Sequence, residues 1–182
     1  AFEPPHLSVY HLTIEPNTFF ANHPPLLPDD DTAADMLDRI VALSAAHGLE
    51  RYEVSAFARA AHRCVHNLNY WQFGDYLGIG AGAHGKLSFP HRVVRQVRWR
   101  EPARYMREAL SASGGRAVSN QHEVSRRDLP FEFMMNQLRL AEGFERSHFV
   151  ERTGLPWSAV DAAVARAQAR GLVDLVGVGE GE

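Results

Sequence analysis

The sequence predicts an α/β fold followed by a small helical part. Strand-like runs at residues 6–14 and 52–58 flank a segment whose apolar residues recur at helical spacing, and residues from about 120 onward are helical in pattern throughout. Strand, helix, strand is the order of a βαβ unit, which normally gives a parallel sheet. We therefore expect a mixed α/β domain over residues 1–120 and a helical domain over residues 121–182.

Composition restricts the class of protein. The chain has 182 residues, is 45% hydrophobic and carries a formal net charge of −3, which is typical of a globular protein without a general attraction to polyanions. Its single cysteine, Cys64, excludes an internal disulfide and fits a reducing compartment. The sequence has no apolar run near the ~20 residues of a membrane-spanning helix and no secretory signal. We expect a cytoplasmic protein.

Both ends are unusual for a complete protein. A strand-like run begins at residue 6 without an initiating Met, and the chain stops soon after another such run at residues 172–176. We therefore expect a fragment of a longer polypeptide.

The elements of the first part follow from local signals. The strand over residues 6–14 gives way to a turn at residues 15–18. Asp31 or Thr32 can cap a helix that Gly48 would end, and the second strand follows at residues 52–58.

The stretch from residue 59 to residue 120 is less uniform. Residues 59–90 are irregular and rich in His, Asn, aromatics and Gly, and residues 92–100 are charged. A helix is expected over residues 102–110, and residues 111–115 are expected to form a turn or short linker.

Three helices are expected in the second part. The first begins at residues 128–130 and ends at Gly143, the second covers residues 145–152, and the third begins at Pro156 or Ser158 and ends before Gly171. With a strand at residues 172–176, this order resembles a winged-helix module that lacks its second wing strand.

The most unusual cluster is His66-Asn67-Leu68-Asn69-Tyr70-Trp71, with His62 and Cys64 just upstream. An imidazole can be an axial ligand of haem iron, and Tyr and Trp rings can stack on a flat macrocycle. The Cys64 thiolate is an alternative ligand. A single histidine in a loop is more often structural or solvated. A closed zinc site on His62, Cys64 and His66 would need a fourth ligand, so we expect no metal site of that kind.

A glycine-rich run covers residues 74–85. Glycines permit close backbone approach to a ligand, and a helix that began there could offer amide donors to an anion. The run lacks a GxxxxGK[ST] pattern and does not follow a first strand as a dinucleotide fingerprint does. The alternative is a tight, buried strand or turn at a sheet edge.

Polar residues on the two strands are further candidates. Tyr10, Thr13 and Glu15 lie toward the carboxyl end of the first strand, where barrel enzymes bind ligands. Glu53 and Ser55 share a face of the second strand and could line a pocket or be solvated. Ordinary core strands explain both sets equally well, and no Ser/His/Asp triad can be proposed.

Four segments together resemble one family. The segments are SVYHLTIEPNT (8–18), YEVSAFA (52–58), HRCVHNLNYWQFGDYLGIGAGAHGKL (62–87) and FEFMMNQLRLAEGF (131–144). In order and spacing they are similar to the HemW family, radical S-adenosylmethionine (SAM) haem chaperones related to oxygen-independent coproporphyrinogen III oxidase. The resemblance implies that residues 1 to roughly 90 are the last strands and helices of a partial (β/α) barrel. It also implies that residues 121–182 are a HemN C-terminal-type helical domain, truncated at its end.

The resemblance also implies roles for residues. The HNxxYW run is associated with haem in the family, which makes His66 the candidate ligand, with Asn67, Tyr70 and Trp71 beside it. Tyr10 and His84 fall where the oxidase branch contacts SAM, although that branch differs at both positions. Ala56 stands where many members have Asn.

The radical chemistry of the family is not expected of this chain alone. A [4Fe–4S] cluster that leaves one iron open for SAM needs three cysteines in a CxxxCxxC run, and the chain has one cysteine. The cluster and SAM are therefore implied for the full-length parent only, with no catalytic residue in this chain. A half barrel would also expose apolar sheet edges that the missing strands cover.

Three classes of function follow. The first is a fragment of a haem chaperone that binds haem and delivers it to haem-requiring proteins, with a membrane-associated acceptor and a homodimeric parent compatible with the sequence. The second is an oxygen-independent coproporphyrinogen III oxidase. The third is nucleic-acid binding through the helical end, which is not expected because residues 123–182 carry seven Arg against ten Asp and Glu.

Overall fold

The computed structural model describes residues 3–111 and 117–177, and the chain divides into two compact units. The first unit contains Ala1–Leu68 and Leu138–Gly143, and the second contains Asn69–Gln137 and Phe144–Glu182. The fold is mixed α/β, as predicted. The domain boundary expected near residue 120 falls inside a strand, and most of the linker expected at residues 111–115 lies outside the described residues.

The described residues form six strands and seven α-helices, with one 3₁₀ turn before the last helix. In chain order they are β1 (His6–Ser8), α1 (Phe19–Asn22), α2 (Asp30–Ala46), β2 (Glu50–Glu53), β3 (Ala56–Ala58), α3 (Val65–Trp71), β4 (His84–Phe89), β5 (Arg92–Arg98), α4 (Pro102–Ala109), β6 (Val118–Glu123), α5 (Leu129–Gln137), α6 (Arg146–Thr153), the 3₁₀ turn (Trp157–Ala159) and α7 (Asp161–Ala169).

The sheet of the first unit has the strand order β1-β3-β2, and both neighbouring pairs are antiparallel. The expected parallel pairing is therefore wrong for this sheet. The predicted strand at residues 52–58 is interrupted by a turn at Val54 and Ser55, which folds β3 back beside β2. Because β3 then lies between β1 and β2, those two strands run in the same direction without touching.

Helix α2 of the first unit forms where its spacing predicts it. Its N-cap is Asp29, whose carboxylate accepts from the Thr32 amide at 2.8 Å, so the cap lies two residues before the expected one. Asp30 and Asp31 in the first turn favour the positive end of the helix dipole. Gly48 ends the helix in the left-handed region, at φ 73°.

The sheet of the second unit has the order β4-β5-β6 and is antiparallel throughout. The core of this unit is aromatic: the rings of Phe73, Phe144 and Phe149 all lie 5.2 to 5.6 Å from the ring of Phe133, edge to face. Strands β4 and β5 form in segments where the sequence pattern predicts no strand. They are stabilised by backbone hydrogen bonds between β4 and β5 and between β5 and β6, which a local pattern does not show.

The helical end matches its prediction in part. Helix α6 ends at Thr153 before Gly154, which is left-handed at φ 64°, as expected. Helix α5 stops at Gln137, six residues before the expected Gly143, because residues 138–143 belong to the first unit. The strand expected at residues 172–176 is wrong: these residues have no strand structure in the part of the chain that the structure describes.

No helix among the described residues is long and apolar enough to cross a membrane.

Candidate functional site

The HNxxYW run forms helix α3 rather than a loop. Residues four apart share one face of a helix, so His66 lies above Tyr70 and Asn67 lies above Trp71. His66 is exposed, whereas the other three side chains are half-buried. The helix therefore presents one imidazole to solvent and keeps its companions against the protein.

Asn67 is held by a tyrosine of strand β2. Tyr52 is 2% exposed, and its hydroxyl lies 3.4 Å from Asn67 Nδ2, 3.3 Å from the Cys64 amide nitrogen and 3.0 Å from His6 Nε2. Burial raises the pKa of the Tyr52 hydroxyl. The hydroxyl is therefore protonated at neutral pH, and the Asn67 amide is directed at the protein.

Tyr70 is held by packing in the second unit. Its ring centroid lies 4.2 Å from that of Tyr76, and the Tyr76 hydroxyl accepts from Arg95 at 2.9 Å. Burial raises the pKa of Tyr76 despite the arginine. Arg95 is also paired with Glu132 at 2.6 Å. These contacts fix Tyr70 beside Trp71, whose ring centroid is 6.4 Å away.

The residues near His66 form no recognisable metal site. Cys64 is a free, partly buried cysteine. Within residues 3–111 and 117–177, no group of three or more His, Cys, Asp or Glu side chains is arranged to hold a metal ion.

The glycine-rich run is a tight turn at the edge of the second sheet. A Cβ at Gly78 would overlap the carbonyl oxygen of His84, and one at Gly85 would lie 3.2 Å from the Gly78 nitrogen. No helix begins here, and the amides of Gly80 and Gly82 donate to the Tyr105 hydroxyl and the Trp99 carbonyl. The glycines allow backbone segments of this chain to approach each other closely, as expected for a tight turn at a sheet edge. The amides of Gly80 and Gly82 already donate hydrogen bonds within the protein.

A buried lysine joins the strand after this run to the segment that follows helix α3. Lys86 is 1% exposed, and its ammonium donates to the Phe73 carbonyl at 2.9 Å, to Asp75 Oδ1 at 3.0 Å and to Ser88 Oγ at 2.8 Å. Burial lowers the pKa of Lys86. No role for Lys86 is predicted from the sequence, because lysine is almost never fully buried unless it is paired.

Glu53 and Ser55 do not share a strand face, because Ser55 lies in the turn after β2, but their side chains are in contact and both are buried. Glu53 is 2% exposed, accepts from Ser55 Oγ at 3.3 Å and is paired with Arg139 at 3.0 Å. Arg139 also donates to Ser55 Oγ at 3.1 Å. The cluster is a buried ion pair within the first unit. A pair between residues 86 positions apart cannot be predicted from a local sequence pattern.

The two SAM candidates lie in different units. Tyr10 follows β1 and is 72% exposed, and Thr13 and Glu15 follow it outside any strand. His84 is the exposed first residue of β4. It lines a groove of about 510 Å³ in the second unit, together with Arg95, Val97, His122, Asp128, Phe131, Glu132 and Met135. Neither position is tested as a SAM contact by this geometry, and both stay predictions.

Sequence comparison places the chain among known proteins. The family described as "HemN C-terminal domain" matches residues 124–179. "Heme chaperone HemW" of Escherichia coli is 46% identical over 92% of this chain and 43% of its own length. The protein of the same name from Haemophilus influenzae is 48% identical over 86% of this chain and 39% of its own length. The one from Bacillus subtilis is 35% identical over 82% and 39%.

The fold has a counterpart among solved structures. The structure described as "Coproporphyrinogen III oxidase (HemN) from Escherichia coli is a Radical SAM enzyme" aligns with a TM-score of 0.66 over 95% of this chain and 43% of that chain. At 18% sequence identity, this likeness shows the fold alone.

The sequence matches and the fold agree with each other. The chain spans 39% to 43% of the length of the three HemW proteins named above. The similarity to them extends over 82% to 92% of this chain. Over most of its length the chain is therefore similar to HemW proteins, and its residues 124–179 match the HemN C-terminal domain.

Proposed function

We propose that the chain is the haem-binding part of a radical SAM haem chaperone and that His66 is the axial ligand. The observation that carries this proposal is the exposed imidazole of His66 on a helix that the Cys64 amide and the Asn67 side chain attach to Tyr52. An exposed imidazole on this helix can approach haem iron, for which histidine is a common protein ligand.

The residues around His66 fit haem in their chemistry. Tyr70 and Trp71 are half-buried aromatics on the same helix and can contact the edge of a flat macrocycle. Asn67 contributes by holding the helix through Tyr52. Cys64 remains the alternative ligand, although its side chain is partly buried. Bound haem supplies an iron centre, and these residues bind and orient it.

The chain does not fit the iron–sulfur cluster of its family. Its single cysteine cannot supply three thiolates. We assign the cluster, SAM and any SAM contact by Tyr10 and His84 to the full-length protein.

Finer features of the architecture belong to the same proposal. Residues 1–120 are assigned to the end of a partial (β/α) barrel, and residues 121–182 to a winged-helix-like C-terminal domain. The proposed partners are haem and haem-accepting proteins in the cytoplasm, including an acceptor at a membrane, with a homodimeric parent. Nucleic acid is not among them, because the helical end is net acidic.

Replacement of the ligand tests the proposal. In the full-length protein loaded with haem, His66→Ala should abolish or shift the Soret band, because the iron loses its axial nitrogen. His62→Ala is the matched control, since His62 is an exposed histidine four residues away. An unchanged spectrum and stoichiometry in His66→Ala would rule out His66 as the ligand.

The oxidase alternative has one observation in its favour, the fold shared with the E. coli coproporphyrinogen III oxidase. The same full-length preparation, reconstituted with its cluster and SAM, distinguishes the two. Conversion of coproporphyrinogen would favour the oxidase, and haem binding without turnover would favour the chaperone.

A further inference from the structure

The start of helix α3 is attached to one tyrosine. Four residues around His66 contact Tyr52 or its apolar cluster, and all belong to the first unit. The Arg63 guanidinium lies 5.8 Å from the Tyr52 ring centroid, and Leu68 packs against the cluster of Tyr52, Ala56 and Ala58. The Cys64 amide and the Asn67 side chain both reach the Tyr52 hydroxyl. His66 is therefore flanked in sequence by residues on both sides that contact Tyr52 or its cluster.

The hydroxyl of Tyr52 is used to its full capacity. A phenol has one proton to donate and two lone pairs to accept with. The Cys64 amide and the Asn67 amide nitrogen can only donate, so the hydroxyl proton is left for His6 Nε2 at 3.0 Å. A second strand, β1, thereby holds the hydroxyl in place from its other side.

Arg63 is itself fixed. Its guanidinium forms a two-pronged ion pair with Glu142, and this pairing raises the pKa of Arg63 and lowers that of Glu142. The arginine is therefore held over the Tyr52 ring, a favourable cation–π arrangement.

We infer that the Tyr52 hydroxyl is a positioning group for His66. By binding the first turn of helix α3 at Cys64 and Asn67, it fixes where the exposed imidazole is presented. This inference rests on the proposed function, because positioning matters for a residue that binds an iron. Asn67 then helps to position His66 through its hydrogen bond to Tyr52, and it does not contact haem.

Tyr52→Phe isolates the hydroxyl. It keeps the buried ring, the Arg63 contact and the packing of Leu68, and it leaves two donors without their acceptor. In the full-length protein we expect haem affinity to fall about tenfold, the loss that two unsatisfied or weakened hydrogen bonds produce. The Soret band should also move part of the way toward that of His66→Ala. Tyr105→Phe is the control, since it removes a hydroxyl that accepts one amide hydrogen bond in the second unit.

A second variant tests whether Tyr52 and Asn67 act through the hydrogen bond between them. Asn67→Ala should reproduce the loss of affinity, and the Tyr52→Phe/Asn67→Ala double variant should be little worse than either single one, because both act through one contact. Losses that multiply would show that the two residues act independently and would overturn the inference.

A haem-free measurement separates this inference from the proposed function. In apo protein, Tyr52→Phe should accelerate hydrogen exchange at the amides of residues 64–68 and alter the His66 ring signals in NMR spectra, whereas Tyr105→Phe should not. Unchanged exchange and ring signals would overturn the inference whatever haem does. If His66→Ala leaves haem binding intact, the proposed function fails, and apo exchange still decides whether Tyr52 holds the helix. If His66→Ala abolishes binding and Tyr52→Phe binds haem as wild type, the positioning role is overturned.

Discussion

A lysine that no sequence pattern marks holds the region after helix α3 together. Lys86 is enclosed by the Phe73 carbonyl, Asp75 and Ser88, and its ammonium lies 4.0 Å from the Phe73 ring centroid. A buried ammonium is tolerated only when its protons are used and its charge is balanced. Asp75 supplies that balance and also accepts from the Ser88 amide at 2.9 Å.

Asp75 should give the protein a measurable acid sensitivity. Its partial burial raises its pKa, but hydrogen bonds from Ser88 and Lys86 outweigh this and leave the pKa below its ordinary value. A carboxyl whose pKa is lower folded than unfolded stabilises the fold above the unfolded value, about 3.9, and loses that contribution as pH falls through the folded value. We expect Asp75→Asn to be less stable at pH 7 and to lose less stability between pH 5 and pH 3.

Urea titrations of wild type and variant across that range measure the difference. Asp29 and Glu142 also have lowered pKa values, so both proteins keep some acid sensitivity. Parallel pH profiles for the two proteins would contradict the role given to Asp75.

At the scale of elements, the glycine-rich run over residues 74–85 is a structural turn. The strand that follows it, β4, begins where the Gly78 backbone contacts the backbone of His84. Such a contact excludes any side chain, since backbone atoms cannot move aside as a flexible side chain can.

Gly78→Ala should therefore destabilise the second unit. A Cβ there would overlap the His84 carbonyl oxygen and lie 2.7 Å from its carbonyl carbon, and overpacking of this kind costs about 1–3 kcal/mol. Gly177→Ala is the control, because nothing lies within 4 Å of a Cβ at that position. Thermal unfolding of the two variants tests this, and equal melting temperatures would show that the close approach is not required.

Helices were easier to predict than strands in this chain. Helix α2 has a side-chain N-cap, helix α4 begins with a proline and helix α6 ends before a left-handed glycine, and each is predicted to within a few residues of its bounds. Strands β1 and β3 are three residues long and exist only by pairing with each other and with β2. Their direction could not be predicted from local pattern, because the hairpin between β2 and β3 decides it.

At the scale of the whole molecule, a short segment of the helical end belongs to the first unit. Residues 138–143 lie beside β2, with the Val54 amide bound to the Arg139 carbonyl at 3.0 Å and the Ala141 amide bound to the Tyr52 carbonyl at 3.1 Å. Arg139 then neutralises buried Glu53. The two units are therefore not consecutive in sequence.

Loss of this ion pair should be costly. Arg139→Met leaves the Glu53 carboxylate buried without its cation, and breaking a buried pair costs about 3–5 kcal/mol, less here because Arg139 is 31% exposed. Adding Glu53→Gln should recover part of the stability, because the neutral amide can still bond Ser55. Chemical denaturation of the single and double variants measures the coupling. A double variant less stable than Arg139→Met would contradict this account of Glu53.

The sequence by itself determined the resemblance to HemW proteins and the approximate bounds of helices α2, α4 and α6, and it predicts His66 as the haem ligand. These depend on local order: HNxxYW, the glycine spacing and the helix caps are all read along the chain. Only the tertiary structure decided that HNxxYW is helical, that Asn67 binds Tyr52, that Lys86 is buried against Asp75 and that Arg139 neutralises Glu53. Each of these joins residues distant in sequence, and such contacts are fixed by how buried polar groups satisfy one another in space.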